Sequence, residues 1–105
     1  MVEMNNLSSP ELTEAVRLWT GWGESMMPTR NDNRLAERFG SEVASRLLSL
    51  IKSLEDDFYS SDARFVATSL EEMEKLACEH FRQKHPSVAD EIAKAFAWCY
   101  TFDFK

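Results

Sequence analysis

Four residues could bind a transition metal or supply a nucleophile: Cys78, His80, His85 and Cys99. A zinc site takes about four Cys or His ligands, or about three and a water. Cys78 and His80 are two residues apart, and on a helix that spacing turns them about 200° apart. They cannot chelate one ion together, and the five-residue step from His80 to His85 serves no better. No metal site and no cofactor is expected. A Cys–His nucleophile pair needs a turn that presents the thiol, and no Gly-rich turn flanks either cysteine. Gly-x-Ser-x-Gly elbows, phosphate loops and dinucleotide fingerprints are missing from the sequence. Gly21-Trp22-Gly23 lacks the third glycine and the preceding strand of a phosphate cradle. A catalytic role is therefore not expected. Both cysteines sit among apolar neighbours in helical pattern, which predicts buried free thiols.

The carboxylates carry more information through their placement than through their number. Glu55-Asp56-Asp57-Phe58-Tyr59-Ser60-Ser61-Asp62 holds four acids and no base. Residues 1–54 hold six bases and seven acids, whereas 55–105 hold six bases and eleven acids. Five of the six net negative charges thus lie in the second half. The run falls at the C-terminal end of a predicted helix, where the dipole is negative and each acid costs about 0.3–1 kcal/mol. A local rule broken in this way points to function. The candidate surface is Glu55, Asp56, Asp57, Tyr59 and Asp62, with Tyr59 as the ring to be buried and the acids as steering charges. Two plainer explanations compete: a solvated helix end screened by salt, or a second helix starting near Ser53 that makes these acids favourable first-turn residues. Phe58 belongs to the core. The run is no calcium loop, because it has no glycine. Trp22, in a loop, is the second partner-binding candidate; otherwise it pins its loop to the core.

These residues are set on a chain of 105, the size of one domain. It is 44% hydrophobic, so it can build an ordinary core. With a net charge of -6 it repels nucleic acid, and a basic protein partner suits it better. The start, Met1 to Pro10, lacks the basic and apolar regions of a signal peptide. No run approaches the ~18 apolar residues of a membrane span. A cytoplasmic protein with reduced thiols, touching no membrane, is expected.

Helical periodicity supplies the frame. Residues 1–8 are expected to be flexible. Ser9-Pro10-Glu11 reads as a helix start with Ser9 as cap, followed by the stripe Leu12, Ala15, Val16, Trp19. Gly21 to Asn31 is a loop whose Trp22, Met26 and Met27 must fold onto the core or face a partner. Asp32 is the expected cap of a second helix; Gly40 either ends it or is a tolerated interruption, with a break or kink expected there before the next stretch. That stretch, a third helix, carries Val43, Leu47, Leu50, Leu54 and Phe58, flanked by Leu48 and Ile51. Tyr59 to Asp62 forms a turn, and Arg64 to Thr68 fits either a helical turn or an extended connector. Ser69 and Glu72 have capping-box spacing. Leu70, Met73, Ala77 and Phe81 give the buried face of the helix that follows. His85-Pro86 stops it, and Pro86 or Ser87 opens the last helix.

The tail is in conflict. Phe96, Trp98, Tyr100, Phe102 and Phe104 alternate as a strand would, yet no partner strand exists for it. The expectation is a helix to about Tyr100 and then an extended aromatic tail. The predicted fold is all-α: a small single-domain bundle of four to five helices with that tail.

In size and charge the chain resembles small acidic helical proteins that neutralise a basic toxin or nuclease, bacterial immunity proteins among them. The likeness is one of composition and carries no residues over. It implies a protein-binding module, of the immunity or antitoxin type, that blocks a basic partner with an acidic face. The alternative is a self-associating structural or adaptor module, a homodimer whose seam is covered by Trp22, Met26, Met27 and the tail from Tyr100 to Phe104.

Overall fold

Pro10 suits a first helical position, where no amide is needed, and α1 (Pro10–Thr20) begins there. The computed structural model describes residues 10–104. The expected Ser9 cap and the flexibility of residues 1–8 lie outside that range. Leu12, Ala15, Val16 and Trp19 are buried, as the stripe predicted. Gly21 ends the helix at φ +80°, and a Cβ there would come within 2.6 Å of Ser25 Oγ. The loop that follows turns back on the helix end. Thr29 N donates to Thr20 O, while Thr29 Oγ1 and Asn31 N donate to Trp19 O, at 2.9, 2.8 and 3.1 Å. These carbonyls are among those a helix end leaves without partners. The loop's length is explained by this recapture.

The α2 helix (Asp32–Phe39) is capped one residue earlier than expected. Asn31 Oδ1 accepts from Asn33 N at 3.1 Å, and Asp32 is otherwise engaged: its carboxylate accepts the Trp19 indole N–H at 2.8 Å. Gly40 breaks the chain at φ +85°, ψ 156°, a region essentially reserved for glycine. It lets α2 fold against α3 (Ser41–Tyr59). The buried face of α3 is Ala44, Leu47, Ile51, Leu54 and Phe58. Val43 and Leu50, expected at its centre, lie at its margins, so the face is rotated slightly from the predicted stripe.

Residues 63–66 form the single turn α4 (Ala63–Val66), and α5 (Leu70–Lys84) follows. Ser69 Oγ caps α5 through Glu72 N at 3.1 Å. Glu72 reaches past Ser69 to the Thr68 N–H and hydroxyl, at 2.6 and 2.9 Å. Those bonds, the backbone one foremost, hold its carboxyl below the usual range. Met73, Ala77 and Phe81 are buried, but Leu70, predicted to share their face, is 50% exposed. Its helix face extends past the end of the core.

Two expectations at the C-terminus fail. The last helix, α6 (Asp90–Phe104), opens neither at Pro86 nor at Ser87. Val88 N donates to His85 O and Val88 is buried, so residues 86–89 are spent on a turn into the core. Nor is there an extended tail, because α6 continues through Phe104. The alternating aromatics also form two helical rows: Phe96, Tyr100 and Phe104 at four-residue steps, and Trp98 with Phe102. A helix satisfies its own backbone, which a lone strand cannot.

The result is an all-α bundle of five helices and one short helical turn. Its buried residues form one cluster drawn from all six elements. Arg82 near the end of α5 pairs with Asp90 at the start of α6, so these two run as an antiparallel hairpin. Phe58 reaches between them, its ring 5.2 Å from Phe81, 6.0 Å from Phe96 and 5.6 Å from Tyr100. Tilted aromatic pairs of this kind add about 0.5–1.5 kcal/mol each beyond burial.

Candidate interaction surface

Because α3 runs unbroken to Tyr59, Glu55, Asp56 and Asp57 do occupy its last turns. The dipole penalty is met by bases from elsewhere in the chain. Arg30, fixed between the anchored residues Thr29 and Asn31, donates to Glu55 Oε2 through Nε and Nη2 at 3.0 and 2.7 Å. The same Nη2 donates to the Tyr59 hydroxyl at 3.0 Å. That hydroxyl donates to Asp103 at 2.6 Å. Burial, and then the bond to Asp103, push the Tyr59 phenol well above its usual range, so it stays a donor. Burial alone would lower the Arg30 pKa, but the bond to Glu55 and the surrounding charges outweigh it, and the guanidinium is held fully charged. Asp57 Oδ2 lies 2.8 Å from His85 Nε2.

The acidic run is therefore divided. Glu55 and Tyr59 belong to a network with Arg30 and Asp103, and the Glu55 side chain is only 18% exposed. Asp57 is engaged with His85. Asp56 and Asp62 are exposed, and neither side chain has a hydrogen-bond or ion-pair partner among the described residues. Trp22 stands apart from this network. It is half-buried against the core, and its backbone N–H donates to Thr20 Oγ1 at 3.3 Å.

A second surface lies at the open end of the α5–α6 hairpin. Leu70, Glu71 and Glu74 of α5 face Trp98, Thr101 and Phe102 of α6 across an open groove of ≈ 330 Å³, with Met26 from the loop contributing to its lining. Met26 is 98% exposed, and Phe65 and Val66 in α4 are also largely in water. The sequence signal for the groove was Leu70, an apolar stripe residue one turn beyond the core. The Arg64 side chain, also unanticipated, lies 4.6 Å from the Phe65 ring and 4.6 Å from the Phe104 ring. Its Nη1 donates to the Tyr59 and Ser61 carbonyls, both at 3.1 Å. It ties the turn after α3 to the end of α6.

Cys99 is buried and Cys78 half-buried, both as free thiols. Burial pushes Cys99 up to about 12 and Cys78 up to about 11, so neither supplies a thiolate at neutral pH. Ser61 Oγ lies 2.7 Å from His80 Nδ1. The same oxygen accepts Ala63 N and the serine is buried, which makes it a brace for the α3–α4 corner. Among the described residues no group of three or more His, Cys, Asp or Glu could hold a metal ion, and no helix is long and apolar enough to cross a membrane. A second surface depression, lined by Thr29 to Asn33, is polar and open. Compared with known proteins, the chain matches no family model, no curated protein and no solved structure.

Proposed function

We propose that the chain is a stoichiometric protein-binding module for a basic protein, acting by occlusion in the manner of an immunity or antitoxin-type inhibitor. The observation that carries this is the combination of a net charge of -6 with exposed carboxylates that have no ion-pair partner among the described residues, Asp56, Asp62, Glu71 and Glu74 among them. Such charges cost little in isolation and gain most when a cationic surface approaches, through steering and fast, salt-sensitive association. Within the acidic run, Asp56 and Asp62 face outward, while Glu55 and Tyr59 join the contact only if Arg30 releases them. Affinity capture from the producing cell, washed at low and at high salt, tests the proposal. A basic protein retained at one-to-one stoichiometry and released by salt supports it; recovery of no basic protein refutes it.

Self-association is favoured by one specific observation, the exposure of Met26, Met27, Phe65, Val66 and Leu70. The seam would not use Tyr100, which is fully buried. Light scattering at high concentration separates the two: a monomer removes this alternative.

A further inference from the structure

We infer that the groove between the start of α5 and the end of α6 docks a basic amphipathic segment of a protein partner. Its apolar side chains would enter between Leu70 and Trp98, and its Lys or Arg residues would meet Glu71 and Glu74. This rests on the proposed binding of a basic protein and says where, and by what chemistry, that protein is held.

Three observations carry it. The apolar stripe of α5 does not stop where the core stops: Met73, Ala77 and Phe81 are buried, and Leu70 continues their line into water. Opposite it, Trp98, Thr101 and Phe102 occupy one stripe of α6, at i, i+3 and i+4. Two antiparallel helices thus present a trough open at its end, the shape that receives an apolar helix face or a few anchor side chains. Exposed Met26 borders it with a flexible, polarizable side chain of the kind that adapts to varied partners.

The charge of the groove selects the occupant. Its polar lining consists of Glu71, Glu74 and Thr101. The Thr101 hydroxyl is consumed by the Ala97 and Trp98 carbonyls at 3.0 and 3.1 Å. What remains is two carboxylates three residues apart on one helix, therefore neighbours along one edge. Neither makes a hydrogen bond or ion pair with a described residue, and no base lines the groove. Apolar contacts flanked by carboxylates without an ion-pair partner among the described residues complement an apolar segment flanked by positive charge. The acidic run cannot offer this: its exposed acids, Asp56 and Asp62, flank Tyr59, which is already packed 5.3 Å from Tyr100 and 5.8 Å from Phe104.

The test titrates the full chain with a synthetic helix-forming peptide of about 16 residues, with leucines on one face and lysines elsewhere. Two controls accompany it: the same peptide with glutamate for lysine, and a lysine isomer with its leucines scattered around the helix. NMR maps the contact. The amides of Leu70, Glu71, Glu74 and Thr101 and the Trp98 indole are expected to shift at one-to-one saturation. Met26→Ser with Leu70→Ser, and separately Glu71→Lys with Glu74→Lys, are each expected to weaken binding at least about tenfold. Asp56→Lys with Asp62→Lys should change it less than about threefold, as distant exposed charges do. All these positions are exposed, so the variants keep the fold. Shifts centred on residues 55–62, equal binding by the scattered isomer, or unchanged affinity in the Met26/Leu70 variant would overturn the inference. So would a dimer of the chain that this variant dissolves, which would place a second copy in the groove. The failures are separable. If a basic partner is captured by the wild type and equally by the Met26/Leu70 variant, the proposed function stands and this docking site falls. If no basic partner is captured, the function falls whatever the peptide does.

Discussion

Replacing Tyr100 with Phe removes one oxygen atom from the corner where α4 meets α6 and nothing else. The ring is fully buried, held 5.6 Å from Phe58, 5.3 Å from Tyr59 and 4.9 Å from Phe104, and Phe fits the same space. The hydroxyl donates to Ser61 O and accepts from Arg64 N, both at 3.0 Å. Without it, Ser61 O keeps the Arg64 guanidinium at 3.1 Å, but Arg64 N, in the first turn of α4, is left with no acceptor. A fully buried amide left unpaired costs about 1–3 kcal/mol, and Arg64 is half-buried, which puts its cost at the low end. With a denaturant slope of about 1.5 kcal/mol per molar urea, a loss of about 1 kcal/mol lowers the unfolding midpoint by about 0.7 M. Equilibrium urea unfolding followed by circular dichroism reads this directly, and the slope should not change. A midpoint within about 0.3 M of wild type would show that the α4 corner is not held through Tyr100. Tyr59→Phe is the companion, because its hydroxyl bonds lie in an exposed network and their loss should cost less than about 1 kcal/mol.

Other substitutions probe other links. Gly40→Ala should destabilise by about 1–3 kcal/mol through backbone strain alone, since a Cβ there meets nothing within 4 Å; thermal unfolding measures it. Arg30→Ala should cost about 1 kcal/mol or somewhat more in the same assay, because the guanidinium is about a third exposed while Glu55, 18% exposed, loses its partner, yet it frees Glu55 and should strengthen any association with a polycation at low salt. Stability should fall as pH rises from about 9, where an unfolded thiol ionises, toward about 12, where folded Cys99 does. The unfolded chain releases the proton first, so each pH unit in that window costs up to about 1.4 kcal/mol. Urea midpoints at neutral and alkaline pH should converge in Cys99→Ala relative to wild type; an unchanged alkaline loss would show that the buried thiol is not its source.

Much of the helical frame was legible because it is written in local residues. Pro10, Gly21, Gly40, Ser69 and the His85-Pro86 stop act on their own neighbours, and the boundaries they mark are present, although the last helix opens at Asp90 and not at Pro86 or Ser87, and the Ser9 cap lies outside the described residues. The errors share a cause. Asp32 has the chemistry of a cap, but the Trp19 indole, thirteen residues earlier, takes its carboxylate. Leu70 has the periodicity of the core, but helical phase does not say where the core ends. The aromatic tail satisfied two periods at once, and the backbone's own hydrogen bonds decided between them. The acidic run was placed correctly at the end of α3. Its charges could not be read from the run itself, because Arg30 and His85, which engage Glu55 and Asp57, lie twenty-five and twenty-eight residues away in the chain. The groove was illegible for the same reason: its two walls and Met26 are brought together only by the turn of the α5–α6 hairpin and the recaptured loop.

The most direct measurement of the central claim is reconstitution. The protein captured from the producing cell is purified, mixed with the chain, and the complex weighed by light scattering across a salt series. A one-to-one complex with a basic protein that weakens steeply with salt, and is lost in Glu71→Lys with Glu74→Lys, is the predicted result. A complex indifferent to salt, a partner of acidic charge, or a chain that binds only itself would contradict it.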